Sequence, residues 1–364
     1  MASPYADLPR RSFWRPSVAE LNPFEWRDLY IKRFPIAPDA KIATAGSCFA
    51  QHIGRQLRLR GFNYLDAEPP PPSLPAHRHA DFGYGLFSAR YGNIYTARQL
   101  LQLHREAFYR FRPEERTWAK DGRVYDPFRP NVEPDGFVSA DELRALRKHV
   151  HLPAVREVFL NCDVFIFTLG LTEAWISKRD GAVFPTCPGT IAGEFDPALH
   201  EFHNFGFAEI HSDMVAFIEA ARAANPDMKL LLTVSPVPLT ATASDQHVLS
   251  ATTYSKSVLR AVAGALYQDY DFVDYFPSYE IVTAPAMRGE LYQPDMRNVT
   301  ARGVDHVMSH FFAQHPPPVA EAPGKGARPD PVAARQERMA REVQADAAEF
   351  RAVCEDEKLD AVHG

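Results

Sequence analysis

Apolar positions along this chain follow two rhythms. Val164–Leu169 (VFIFTL) and Lys229–Val234 are short apolar runs without alternation, the pattern of strands covered on both faces of a parallel sheet. Strand-like runs also occur at 41–45 and 272–274. Between these runs the spacing turns helical. Phe49, Ile53 and Leu57 share one face while Gln51, Arg55 and Arg58 lie elsewhere, and Gly61 is placed to end that helix. Thr96 is placed to cap a helix through Leu100, Leu103, His104 and Ala107. Ser139 and Glu142 have capping-box spacing and open a helix toward Phe159, which Pro153 is positioned to split. Further helices are expected over about 207–225, 247–270 and 300–314. Strand–helix alternation with apolar strands predicts a doubly wound parallel α/β sheet.

The remaining segments read differently. Residues 1–40 are rich in proline and aromatics, including Trp14, Phe24, Trp26 and Tyr30, and predict an irregular arm packed on a domain at 41–315. Four consecutive prolines after Glu68 exclude helix and central strand. Residues 81–96 (DFGYGLFSARYGNIYT) combine glycines with aromatics, which suggests close backbone approach to another segment or a ligand. A hairpin is expected within 110–138, and a loop or short hairpin at 182–193. A linker follows at 316–332, then a charged helical tail at 333–364 with sparse apolar positions from Met339 to Val353. Such a tail is either solvated or a partner-binding surface through which copies of the chain associate; no catalytic role is expected for it.

Composition narrows the function classes. Of 364 residues, 46% are hydrophobic and 24% charged, an ordinary globular balance. A net charge of -6 offers no basic field for nucleic acid. Cys48, Cys162, Cys187 and Cys354 form no C-x-x-C pair, which fits free thiols in a reducing cytosol better than a zinc or redox site. His77, His79, His149 and His151 lie in polar surroundings and are expected to be exposed. The N-terminal stretch lacks the apolar core of a secretory signal, and no apolar run is long enough to span a bilayer, so a cytoplasmic protein is expected.

The chemistry centres on residues 41–50, KIATAGSCFA, which read as strand, tight turn and helix. Gly46 permits a sharp turn. Ser47 then stands at a helix start, where free N–H groups favour negative charge, and is either an ordinary N-cap or a nucleophile. Cys48, one residue on, points about 100° away in a helix and reads as a buried apolar thiol.

The pentapeptide Gly46-Ser47-Cys48-Phe49-Ala50, together with Tyr91-Gly92-Asn93-Ile94-Tyr95-Thr96, Thr168-Leu169-Gly170-Leu171-Thr172-Glu173, Thr233-Val234-Ser235-Pro236-Val237-Pro238 and Tyr254-Ser255-Lys256-Ser257, resembles the GSCFA family of the SGNH/GDSL-like hydrolase superfamily. The resemblance implies a flavodoxin-like α/β fold of the SGNH-hydrolase type. It also implies acyl-ester chemistry on glycans, by hydrolysis or O-acyl transfer, with O-acetyl groups the leading acyl class and no cofactor required. On that resemblance Ser47 is the nucleophile. Its own N–H, Gly92 and Asn93 would hold the oxyanion, with Thr172 or the Gly170 backbone standing in where the superfamily usually carries asparagine. The superfamily's Asp-x-x-His is replaced here by Asp295-Met296-Arg297-Asn298, and asparagine cannot accept a proton near neutral pH. His306 is the first alternative base, oriented by Asp305 or Asp295, and His203 the second. Arg90, His203 and Asn204 are candidate substrate contacts, Arg90 for an acidic sugar or else as a salt bridge. Glu173 is a further candidate, more readily a buried partner of an arginine. The rival reading is a non-catalytic glycan-binding or scaffold protein that keeps the fold without a working dyad.

Overall fold

The apolar runs form the spine of the molecule. In the computed structural model, which describes residues 3–318 and 352–355, strands β1 (Ile42–Gly46), β4 (Val164–Leu169), β8 (Lys229–Val234) and β9 (Val273–Tyr275) pair in parallel in the order β1-β4-β8-β9. Alternate residues of each strand enter two different cores. Ala43, Ala45, Phe165, Phe167, Leu230 and Leu232 face the larger core. Helices α2 (Ala97–Ala107), α4 (Leu152–Asn161), α5 (Phe207–Ala224) and α6 (Val248–Asp269) cover it through Leu100, Val155, Phe217 and Leu259. Ile42, Val164, Ile166 and Leu231 face the other way, toward α1 (Phe49–Leu59), α7 (Ser278–Thr283) and α8 (Ala301–Gln314). Burial on both faces is why these strands show no alternation. The doubly wound α/β architecture expected from the sequence is therefore the observed one.

The helix signals act locally as read. Thr96 and Gln99 form a reciprocal capping box at the start of α2. Ser139 Oγ accepts from Glu142 N–H at 3.2 Å to open α3 (Ala140–Leu146). A wide turn over Arg147–His151 separates it from α4, where Pro153 occupies a first-turn position that needs no N–H. The expected hairpin is β2 (Trp118–Lys120) with β3 (Arg123–Tyr125).

Other elements differ from the sequence reading. The stretch at 182–193 contributes only β6 (Val183–Phe184), which pairs with β5 (Glu173–Ser177), and β5 pairs with β7 (His200–Asn204) in a small antiparallel sheet ordered β6-β5-β7. The polar run HEFHN becomes a strand because β5 offers it a hydrogen-bonding edge. Helix α7, six residues long, is too short to show a period. His151, expected to be exposed, is buried and bonds Glu68 at 2.8 Å. It belongs to a buried polar network in which Asp126 accepts from Arg129 and Arg147, both at 2.7 Å.

The N-terminal segment contains short helical turns and packs through Trp26, Tyr30 and Phe34 against the α1/α8 face. Tyr30 Oη donates to Asp274 of β9 at 2.8 Å. Of the tail expected to be helical over 333–364, only 352–355 are described, and they are not helical; the rest of it and most of the linker expected at 316–332 lie outside the described residues. Among the described residues no helix is long and apolar enough to cross a membrane.

Candidate active site

Gly46 fixes the geometry at the carboxyl end of β1. It pairs with Thr168, has φ +131°, and a Cβ there would stand 2.4 Å from the Thr168 carbonyl oxygen. Only glycine meets both conditions. The chain then turns at Ser47 and Cys48, and α1 begins at Phe49 with no side chain capping its N-terminus. Ser47 is buried, and its Oγ has no hydrogen-bond partner among the described residues.

The family-like segments converge on this turn. Ile94 N–H donates to Gly46 O at 2.8 Å, laying the 91–96 loop over the strand end. Tyr95 O accepts from Gly170 N–H at 3.1 Å and Leu171 N–H at 2.9 Å, which binds the loop after β4 to the same place. A Cβ on Gly170 would lie 2.8 Å from Ser47 Cβ, so any side chain at 170 would collide with the Ser47 side chain. Lys256 of α6, fully buried, donates from Nζ to Gly170 O at 2.7 Å, and Ser255 Oγ accepts from Thr172 N–H at 3.1 Å. Ser235 N–H donates to Leu169 O at 2.8 Å, and Tyr292 Oη donates to Pro236 O at 2.7 Å, which ties in the segment before Asp295. These contacts lie at the carboxyl ends of parallel strands, where ligands of doubly wound folds gather.

Asn93 stands in the middle of this assembly. Its Oδ1 accepts from Gln51 Nε2 at 3.1 Å. Its Nδ2 donates to Val353 O at 2.7 Å and to Glu355 Oε2 at 2.5 Å. Gly92 turns the loop with φ +68°, and Glu355 Oε1 lies 3.6 Å from the position a Cβ there would take, ordinary contact distance. The Asn93 amide is thus aimed at an anionic oxygen beside the Ser47 turn. Gln51, Tyr95 and Lys256 were not singled out from sequence as site residues. Gln51 and Lys256 sit in amphipathic helices where a polar residue ordinarily marks the solvated face, and Tyr95 reads as another packed aromatic.

The other expected site residues go elsewhere. Ser47 N–H donates to Thr168 O at 3.1 Å and is therefore committed within the sheet rather than free for an oxyanion. Thr172 Oγ1 is buried without a partner among the described residues. Arg90 is buried and bonded within the fold: it donates to Phe82 O, Val132 O, Tyr84 Oη and Glu133 Oε1, the salt-bridge alternative of the sequence reading. Glu173, Asn204 and His203 share the small sheet, with Glu173 opposite Asn204. Glu173 accepts from Thr242 Oγ1 at 2.8 Å rather than from an arginine, and burial raises its pKa. Asn204 Oδ1 is buried with no partner among the described residues. His203 bonds Glu209 at 2.9 Å near the start of α5.

Asp295 and Asn298 form a closed turn: Asn298 donates from both its backbone N–H, at 2.9 Å, and its amide, at 2.7 Å. Burial acts to raise the Asp295 pKa, but these bonds and the one from Arg297 N–H outweigh it and hold the carboxyl below its ordinary range. The turn lines an open groove with Pro236, Tyr279 and Tyr292. Asp305 instead accepts from Gln56, and His306 rests on Phe24 and His310 with rings 5.0 Å apart in each pair. Burial, and then the charge of Arg302, lower the His306 pKa. Neither His306 nor His203 is brought to Ser47 Oγ.

A model of the GSCFA family matches residues 41–311. No curated protein matches the chain. Among solved structures, a crystal structure of an acetyl esterase mutant with acetate ion is similar at 12% identity and a TM-score of 0.33, covering 76% of this chain and 95% of that one. The fold assignment rests on the sheet itself rather than on that likeness.

Proposed function

Since the chain belongs to the GSCFA family, we propose that it is a serine-dependent acyl-ester hydrolase or O-acyltransferase acting on acylated, chiefly O-acetylated, carbohydrate. Ser47 is the nucleophile in this reading, and the Asn93 amide, seated over Gly92, steadies the oxyanion. One observation carries it: a buried side-chain amide at the carboxyl end of β1, next to the Ser47 turn, already donates to a carboxylate oxygen at 2.5 Å. Such an oxygen is a close stand-in for the charge that develops on an ester carbonyl under attack. His306 and Asp305 are left out of this reading because they pack against the N-terminal segment and α1.

A second reading has its own support. Asn298 occupies the turn where a base is expected, and Ser47 Oγ has no partner among the described residues. Both suit a protein that binds acylated glycan without turning it over. Hydrolysis of p-nitrophenyl acetate, and acetate release from an O-acetylated polysaccharide, separate the two. The wild type is expected to exceed background and Ser47→Ala to fall to it; equal rates for both would overturn the hydrolase reading.

A further inference from the structure

The carboxylate that meets Asn93 belongs to the chain's own C-terminal region. Residues 352–355 lie across the Gln51, Asn93 and Tyr95 side chains, which meet the backbone of Val353 and both the backbone N–H and the carboxyl group of Glu355. Gln51 holds the backbone of Val353 at both its polar atoms: Oε1 accepts from Val353 N–H at 2.9 Å and Nε2 donates to Val353 O at 2.8 Å. Asn93 Nδ2 donates to the same carbonyl at 2.7 Å. Tyr95 Oη donates to Glu355 Oε2 at 2.8 Å and accepts from Glu355 N–H at 3.3 Å. Ala352 and Cys354 close an apolar patch with Cys48 and Val237, one residue from Ser47 on one side and two residues past Ser235 on the other. Glu355 is 2% exposed, Gln51 1% and Asn93 2%.

A carboxylate leaves water only where donors replace its hydration, and buried amides require partners of their own. Gln51, Asn93 and Tyr95 supply both needs at once. Together they fit a ligand with a peptide-type N–H and carbonyl and, two units further on, a carboxylate. We infer that this cradle is a binding subsite for an amide-and-carboxylate ligand, and that residues 352–355 occupy it in cis as an autoinhibitory strap over the Ser47 turn. The occupant belongs to the same chain, so its binding is intramolecular and modest intrinsic affinity suffices. What the strap shuts off rests on the ester-chemistry reading above; that it docks and covers the turn does not.

Cys48 gives a readout independent of catalysis. Peptide-resolved alkylation by N-ethylmaleimide is measured on the full chain for the wild type, Glu355→Ala and Val353→Pro, the last removing the N–H that Gln51 accepts. Glu355→Ala loses a hydrogen-bonded charged group and is expected to speed Cys48 modification about tenfold or more; Val353→Pro loses a neutral hydrogen bond and is expected to speed it by a smaller factor. Cys162, sealed in the main core, is the internal control. Acceleration at Cys48 alone supports the strap; no acceleration, or equal acceleration at Cys162, overturns it. Adding millimolar acetyl-Ala-Val-Ser-Glu-amide to Glu355→Ala is expected to restore protection of Cys48, and the same peptide with Gln in place of Glu is not; equal behaviour of the two peptides overturns carboxylate recognition. Labelling of Ser47 by a fluorophosphonate is followed in the same samples. Faster labelling in the variants supports gating of a nucleophile. Acceleration at Cys48 with Ser47 unlabelled throughout leaves the strap standing and defeats the ester reading.

Discussion

Single residues differ widely in how tightly this fold specifies them. Gly46 must have a left-handed backbone and no Cβ at once, because the Thr168 carbonyl fills the space. Backbone strain of this kind costs of order 1–3 kcal/mol, and overpacking typically adds about 1–3 kcal/mol. Gly46→Ala is therefore expected to lower stability by about 3 kcal/mol or more, read from the denaturant midpoint at unchanged m-value. His104 presents the opposite case. It stacks on Phe108 and meets Phe159 and Phe217 edge-on, and neither ring nitrogen has a hydrogen-bond partner among the described residues. An orphaned buried polar group costs about 1–3 kcal/mol, so His104→Phe is expected to raise the unfolding free energy at pH 7 by about 1 kcal/mol. Asn93 belongs to the chemistry. Removing one oxyanion donor costs roughly 10²–10³ in kcat, and Asn93→Ala is expected to show that loss on p-nitrophenyl acetate in a Glu355→Ala background, where release of the tail is not counted twice.

At the scale of elements, the four-stranded sheet positions the Ser47 turn and the loops lock it. The 91–96 loop owes its place to α2, whose capping box at Thr96 and Gln99 starts the helix immediately after Tyr95. Loss of an N-cap hydroxyl typically costs about 1 kcal/mol, within a range of roughly 0.5–2 kcal/mol. Thr96→Ala is expected to show that loss in the denaturant midpoint, together with faster hydrogen exchange at Ile94, whose N–H donates to Gly46 O. Local opening of the loop would then be felt at the site before the sheet yields. The small sheet of β5, β6 and β7 pairs Glu173 with Asn204 across β5 and β7, with His203 on the neighbouring position.

Across the whole molecule, buried histidines set the response to acid. His104, His151 and His315 are held near 4 against an ordinary 6.5, in each case first by burial. Nearby cations assist: Arg110 and Arg105 for His104, Arg129 for His151, where Glu68 opposes, and Lys32 for His315. Between pH 6.5 and 4 the unfolded chain takes up protons that the folded chain refuses, so their contribution is complete above pH 6.5 and is lost as pH falls through that window. The melting temperature is expected to drop across this range, and the His104→Phe variant to show a shallower drop.

The sequence by itself determined the sheet and its covering helices, because unbroken apolar runs such as VFIFTL and helical spacing such as Phe49, Ile53 and Leu57 are local consequences of what each residue must bury. It also determined the family-like segments and the turn at Gly46. Partnership was decided only in three dimensions. Whether Arg90 meets a substrate or Glu133, whether His306 faces Ser47 or Phe24, and which groups meet the Asn93 amide all depend on contacts between residues far apart in the chain. A polar side chain carries the same local signature whether it is spent inside the fold or left for chemistry, and only the assembled neighbours distinguish the two.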